Sequence, residues 1–298
     1  MARSVVLVSV LVSSLLGCKA FSKLTDDGAA DKGDAGAPVT AAAAPSAAPT
    51  TSDVSFTKKV PKPGTKGATT RKTASKFTMG GKTFRENSFM QGDFVVKESD
   101  EFRVTKASLD VKELYTTSQE GTGSEKRSVS PLAGSSYIVT RGEDGKLSAQ
   151  DSGGNKVPAT TLKLIKDEFG SSFEKNQDAA FLPDRPLKLE EKLMPASDSM
   201  LRALGIKDDG NTVIDGTEFF LRSVANGRAK FDATMTMTQK IPAAGLRVRA
   251  KLGGNLEMVT DGAWIVAIDL KGPITILDGS GNEKGSGDLS ITGTQTFE

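Results

Sequence analysis

From residue 77 onward apolar side chains recur at every second position, and that period limits the folds open to the chain. Leu246, Val248, Ala250 and Leu252 alternate with Arg247, Arg249 and Lys251. Phe231, Ala233, Met235 and Met237 alternate with Asp232, Thr234, Thr236 and Thr238, and Trp264, Val266, Ile268 and Leu270 keep the same rhythm. A strand with one face on a core and the other in water produces this pattern, because successive side chains point to opposite sides of a sheet. Turn chemistry divides the runs. Asn226-Gly227 precedes the Phe231 strand, Asp261-Gly262 precedes AWIVAIDL, Gly142-Glu143-Asp144-Gly145 joins YIVTR to KLSAQ, and a Gly-rich DGSGNEKGSGD joins ITIL to LSITGTQTF. Such residues tolerate the positive φ of tight hairpins. In FRVTKASLDVKEL the alternation changes phase between Val104 and Ala107, which predicts a bulge there.

Two stretches depart from the rule. Leu162, Ile165, Phe169 and Phe173 recur at helical steps, with Thr160 or Thr161 as the expected N-cap. Ser197 is placed to start a second helix carrying Met200, Leu201 and Leu204, closed by Gly205. Between them, Phe181-Leu182-Pro183-Asp184-Arg185-Pro186 reads as extended. The fold class expected for 77–298 is mainly β: one large antiparallel sheet, curved or an open half-barrel, with two short inserted helices.

The first 17 residues read as an export leader. Arg3 supplies the positive end, and Val5 to Leu16 form a twelve-residue, mostly apolar stretch, short of the ~20 residues that a membrane-crossing helix requires. Leu15-Leu16-Gly17-Cys18 follows directly and contains the single Cys of the chain. This tetrapeptide resembles the lipobox of bacterial lipoproteins. The resemblance implies a signal peptide over 1–17, diacylglyceryl and further acyl groups on Cys18, and a lipid anchor in the cell envelope. Lys19 after the Cys, in place of Asp, favours the outer membrane over the inner membrane in that family.

Residues 29–50 contain ten Ala and three Pro and no aromatic residue, a composition with too little to bury to offset its ordering entropy. The next stretch, 54–85, carries a charge of +9 with no acidic residue, while 86–298 carries −6. Residues 18–76 therefore read as a lipidated Cys followed by a disordered Ala/Pro-rich and basic tether. Lys58, Lys59, Lys62, Lys66, Arg71 and Lys72 are its candidate contacts with an anionic surface, headgroup or cell-wall polymer. A solvated linker interacting with the acidic body is the other reading. Nothing pairs the charge with stacking aromatics, which argues against nucleic acid as a partner.

Composition excludes much chemistry. The chain has no His, which removes His-based acid–base pairs and His metal sites, and its one Cys cannot form a metal cluster or an internal disulfide. No cofactor, metal or catalytic residue is assigned. Ser172-Phe173-Glu174-Lys175 matches the S-x-x-K of penicillin-recognising enzymes, and Ser197-Asp198-Ser199 nearly matches their second element, but the third is missing. Asp278, Ser280 and Asn282 start an EF-hand-like spacing, which fails at Glu283 and Leu289. Glu190-Glu191 and Asp208-Asp209 read as solvated surface charge.

The expected activity is that of an envelope lipoprotein without catalysis, whose β domain binds an apolar ligand or an envelope partner protein. Phe219, Phe231, Met235 and Met237 are the candidate ligand-lining residues, with an ordinary core as the competing role. The layout is similar to the half-barrel of lipoprotein carriers and receptors, where a curved sheet cups acyl chains beneath helices. FLPDRPLKLEEKL also looks like a segment of uncharacterised bacterial lipoprotein domains, which implies no activity. The alternative is a cell-wall carbohydrate hydrolase using two carboxylates, which requires a facing pair in a cleft.

Overall fold

A computed structural model of the protein describes residues 53–175, 178–203 and 210–298. The leader 1–17, Cys18, the Ala/Pro-rich stretch, Leu204, Gly205, Asp208 and Asp209 lie outside them. The chain order is β1 (Lys66–Met79), β2 (Lys82–Ser99), β3 (Val104–Glu120), β4 (Lys126–Val129), β5 (Ser135–Arg141) and β6 (Leu147–Asp151). Then come helix α1 (Ala159–Phe169), 3-10 turns at Gly170–Phe173 and Asp178–Phe181, β7 (Lys192–Leu193) and helix α2 (Ser197–Ala203). The chain returns through β8 (Thr212–Ala225), β9 (Arg228–Ile241), β10 (Leu246–Val259), β11 (Ile265–Asp278) and β12 (Glu283–Phe297).

All the strands belong to one antiparallel sheet, ordered β6-β5-β3-β2-β1-β12-β11-β10-β9-β8-β7, with β4 on β3. Almost every strand pairs with its neighbours in sequence, and the last strand pairs with the first. The seam falls between β6 and β7, where the helical segment is inserted. The result is a sheet that comes back on itself in sequence order yet stays open, as the alternation and the two inserted helices predict.

Local sequence accounts for the hairpins. Asn226 (φ 52°) and Gly227 (φ 71°) make the two-residue turn between β8 and β9, with Ala225 opposite Arg228. The expected bulge is present: Val96 pairs with Ala107, Glu98 with Lys106 and Ser99 with Val104, so one residue on each strand is skipped. Further along, β10 and β11 come very close. A Cβ on Gly272 would lie 1.8 Å from the Lys251 carbonyl oxygen, and one on Gly254 1.9 Å from that of Asp269. Only glycine permits this pinch.

Three expectations change. The ordered body starts well before residue 77: β1 begins at Lys66 and is paired along its length with both β2 and β12. Its inward positions include Arg71, Thr73 and Ser75 instead of an apolar set, so the period-two signal was carried by β-branched and polar residues. Helix α1 starts after Pro158 with no side-chain cap, and Thr160 and Thr161 lie inside it; Pro before the first turn supplies a suitable φ without a hydroxyl. Phe181 ends a 3-10 turn, so the extended stretch starts one residue later.

Two apolar clusters form beneath the sheet. One lies under β7–β12 and includes Phe181, Leu187, Phe219, Leu221 and Phe231. The other joins β2, β3, β5 and β6 to α1 through Val96, Leu109, Val139, Ile165 and Phe173. Residues 54–60 strap the open end of the first cluster. Val54 bridges to Leu187, Thr57 to Asp261, and the Phe56 ring lies 6.0 Å from that of Phe231.

Candidate functional site

Between the two clusters the concave face leaves a cavity of about 1170 Å³. One wall comes from inward positions of β9 to β12: Met235, Met237, Leu252, Leu270 and Ile291. Met90, Phe94 and Val96 of β2, with Leu109 and Val111 of β3, form the other wall. Phe169 of α1 and Phe173 of the following turn cover it. The period-two alternation places every one of these strand residues inward, and the missing β6–β7 pairing leaves the space between them.

One end is aromatic. The Trp264 and Phe297 rings are 4.4 Å apart at their centroids, and Phe94 meets Phe297 edge-on at 5.7 Å. The Trp264 indole N–H donates to the Lys59 carbonyl at 3.0 Å, fixing the strap against this end. Polar and charged residues share the lining, and a partly buried ion pair bridges helix and sheet. Arg71 Nη2 donates to Glu168 Oε2 at 3.2 Å, and the Glu168 side chain is only 6% exposed. This ion pair ties α1 to the middle of the sheet. Beside it on β1, the Thr73 and Ser75 hydroxyls are buried without a hydrogen-bond partner.

Most of the carboxylates around the cavity are held by cations, and Asp110, directly across from Asp93 in register, accepts from the Ser136 hydroxyl at 3.0 Å. Glu174 accepts from Arg141 at 2.7 Å, Asp167 from Lys163 at 2.5 Å, and Asp93 faces Lys112 at 2.6 Å. Among the described residues no group of three or more Cys, Asp and Glu side chains is arranged to hold a metal.

The predicted residues separate into groups. Met235 and Met237 line the cavity. Phe219 and Phe231 instead fill the solid core, in a trio with Phe181 whose centroid separations run from 4.8 to 6.4 Å. Their inward phase was read correctly, but depth beneath the sheet depends on Phe181 and Phe56, which are distant in sequence. The six basic candidates do not form one surface. Lys58 pairs with Asp184 at 2.6 Å, Lys59 with Asp261 at 2.5 Å, and Arg71 points into the cavity. Lys62, Lys66 and Lys72 are exposed. The Lys58 ammonium holds the Asp184 carboxyl below its ordinary range.

The remaining motifs resolve into local structure. Ser172 and Lys175 sit beside α1, whereas Ser197 starts α2 beside β8, where its hydroxyl accepts from the Ile214 N–H at 3.0 Å. Asp278 accepts from the backbone N–H groups of Ser280 and Asn282, each at 2.9 Å, and lies 3.1 Å from the Lys284 ammonium. The Asn282 backbone and side-chain N–H groups, then Lys284, pull its carboxyl down to about 2. This is a hairpin turn and not a calcium loop. Glu191 is likewise lowered, first by Arg185 and then by the Lys188 N–H, and Glu190 pairs with Arg222. Cys18 lies outside the described residues.

No protein-family model matches the sequence, and no curated protein matches it. Among solved structures the chain is similar to lipovitellin, with a TM-score of 0.38 and 9% identity over 80% of this chain and 26% of that one. It therefore spans about a quarter of that chain's length. It is also similar to DynF of the dynemicin pathway of Micromonospora chersina, at TM-score 0.22 and 10% identity over 84% and 92% of the two chains. The translocator domain of the autotransporter NalP from Neisseria meningitidis gives TM-score 0.19 and 9% identity over 78% and 88%. Likeness at these scores transfers no ligand, partner or activity.

Proposed function

We propose that the protein is a non-catalytic envelope lipoprotein, anchored through acylated Cys18, that holds an apolar ligand inside its open β domain. The cavity of about 1170 Å³ carries this reading. Ligand sites typically occupy about 300–1,000 Å³, and at about 30 Å³ per molecule this space would otherwise hold some 40 waters. The strand walls of Met, Leu, Ile, Val and Phe offer water few partners and an apolar guest releases it there, while charged residues such as Arg71, Arg103, Lys166 and Glu168 supply a polar side to the same cavity. Met235 and Met237 suit a guest of variable shape, since an unbranched thioether adapts its packing. The lipobox resemblance supplies the anchor, and the absence of His from the sequence supports a role without acid–base catalysis.

The test is extraction and mass spectrometry of lipid from the full-length protein, beside Ala107→Phe. Ala107 lines the cavity, so a ring there occupies guest volume. The expected result is copurifying amphiphile in the wild type and at least a tenfold loss in the variant, with stability lowered by under about 1 kcal/mol. A wild-type protein that carries no lipid and takes up no long-chain fatty acid probe would overturn the cavity reading. An intact Cys18 thiol in the membrane-extracted protein would overturn the anchor separately.

A further inference from the structure

The outward face of the sheet carries a cluster of cations assembled from three strands. On β10, Arg247, Arg249 and Lys251 all point outward and are exposed, because Val248, Ala250 and Leu252 between them are buried. The register sets Lys240 of β9 directly opposite Arg247, and Lys271 of β11 opposite Gly253, two positions beyond Lys251. Both are exposed. Five cations thus share one continuous patch. Among the described residues none of the five forms an ion pair, and the one polar contact recorded for them is Arg247 Nη2 to the Gly279 carbonyl at 3.0 Å. Thr234, Thr236 and Thr238 of β9 and Thr275 of β11 add outward hydroxyls between the charges. Asp215, Glu218, Asp269, Glu283 and Asp288 lie around the border of the patch in register.

Several other cations, among them Lys62, Lys66, Lys72, Lys76 and Lys97, are likewise exposed with no ion pair among the described residues, but many are neutralised. Lys58, Lys59, Lys82, Lys106, Lys112, Arg141 and Arg228 each sit within 3.0 Å of a carboxylate. Clustering five like charges without counter-ions costs self-repulsion, which a negatively charged partner removes. The patch lies on the convex side, away from the cavity, and adjoins the shallow depression around Asn255 and Asp269. It is broad, spanning three strands, and has no exposed aromatic ring for stacking a sugar. Ammonium and guanidinium groups interleaved with hydroxyls match a plane of phosphates better than a single threaded polymer.

We propose that this face, centred on Arg249, Lys251 and Lys271, docks the β domain onto an anionic lipid bilayer through headgroup phosphates. The proposal is independent of what fills the cavity. Full-length protein is sedimented with vesicles of phosphatidylcholine alone and with vesicles containing phosphatidylglycerol. Apolar insertion of the N-terminus contributes to both, so the ratio of the two affinities isolates the charge term. Each Lys or Arg near an anionic surface contributes about a fivefold gain. The triple variant Arg249→Gln, Lys251→Gln, Lys271→Gln is expected to lower that ratio about a hundredfold and leave phosphatidylcholine binding unchanged. The comparison variant Lys58→Gln, Lys62→Gln, Lys66→Gln is expected to lower it less than tenfold. Circular dichroism of both confirms the fold, and raised salt must erase the wild-type ratio if the triple variant fails to fold. The proposal is overturned if the triple variant keeps the wild-type ratio, or if the comparison variant alone abolishes it. It is also overturned if the triple variant loses binding to a soluble acidic polysaccharide and not to vesicles.

Discussion

The two flanks of the cavity are built to different standards of regularity. On one side β8, β9, β10 and β11 are each 14 residues long and β12 is 15. Beneath β8 and β9 Phe181, Phe219 and Phe231 fill the core, while Met235, Met237, Leu252, Leu270 and Ile291 of β9 to β12 border the cavity. On the other side β2 and β3 run to 18 and 17 residues, while β4, β5 and β6 have 4, 7 and 5; register shifts occur on both flanks. There α1 covers the sheet from a distance, and the hollow opens between helix and strands. Equal strands joined by tight turns stack into a solid layer. Strands of unequal length leave an uneven layer, and a helix laid over them does not fill the gap.

The largest test of this contrast truncates one aromatic on each side. Phe231→Ala in the solid core is expected to cost about 4 kcal/mol, and Phe169→Ala, which faces the cavity, about half as much. Urea denaturation measures both, and equal losses would mean that the hollow side is as well packed as the solid one. Adding volume should reverse the ranking of sides. Ala233→Phe, opposite Phe219 on the next strand, is expected to cost about 3 kcal/mol by overpacking, while Ala107→Phe beside the cavity costs under about 1 kcal/mol. Melting temperatures of the two variants decide it.

Smaller effects sharpen the picture. Gly272→Ala forces β10 and β11 apart, because its Cβ would overlap the Lys251 carbonyl; a loss of about 2 kcal/mol is expected by chemical denaturation. Arg71→Met leaves the buried Glu168 carboxylate without that guanidinium and is expected to cost about 1–3 kcal/mol. Faster amide exchange in α1 than in β9 to β12 would accompany it, since the helix loses its tie to the sheet. The mildest effect belongs to Asp278. Its carboxyl is held at about 2 against an ordinary 3.8, so its contribution is complete above about pH 4 and lost as pH falls through 2. Carboxyl chemical shifts followed by NMR should titrate near 2, and Asp278→Asn should remove that titration with little change in melting.

Legibility in the sequence follows the same division. The strands of the regular flank were readable because apolar and polar residues alternate without interruption and Asn-Gly or Asp-Gly marks the ends. The bulge at Val104–Ala107 was readable for the same reason, since a slip in register is a slip in period. Strand β1 was not, because Thr73 and Ser75 occupy its inward positions and its Lys residues look like a solvated tether. The sequence pattern did not separate cavity wall from core: Met235 and Met237 border the cavity, whereas Phe219 and Phe231 share their phase and lie in the filled core. The hydrophobic pattern reports which way a side chain points, and not how much material lies beyond it.

Period, turn residues and the two helical stretches were enough to establish an open antiparallel sheet with inserted helices, because those features arise from contacts a few residues apart. Which cations are neutralised was settled only by tertiary structure. Lys58 finds Asp184 at a separation of 126 residues, and Arg71 finds Glu168 at 97, while Lys240, Arg249 and Lys271 converge from three strands and remain exposed. Coulomb interactions and empty volume depend on distance through space, and that distance is set by strand order and register.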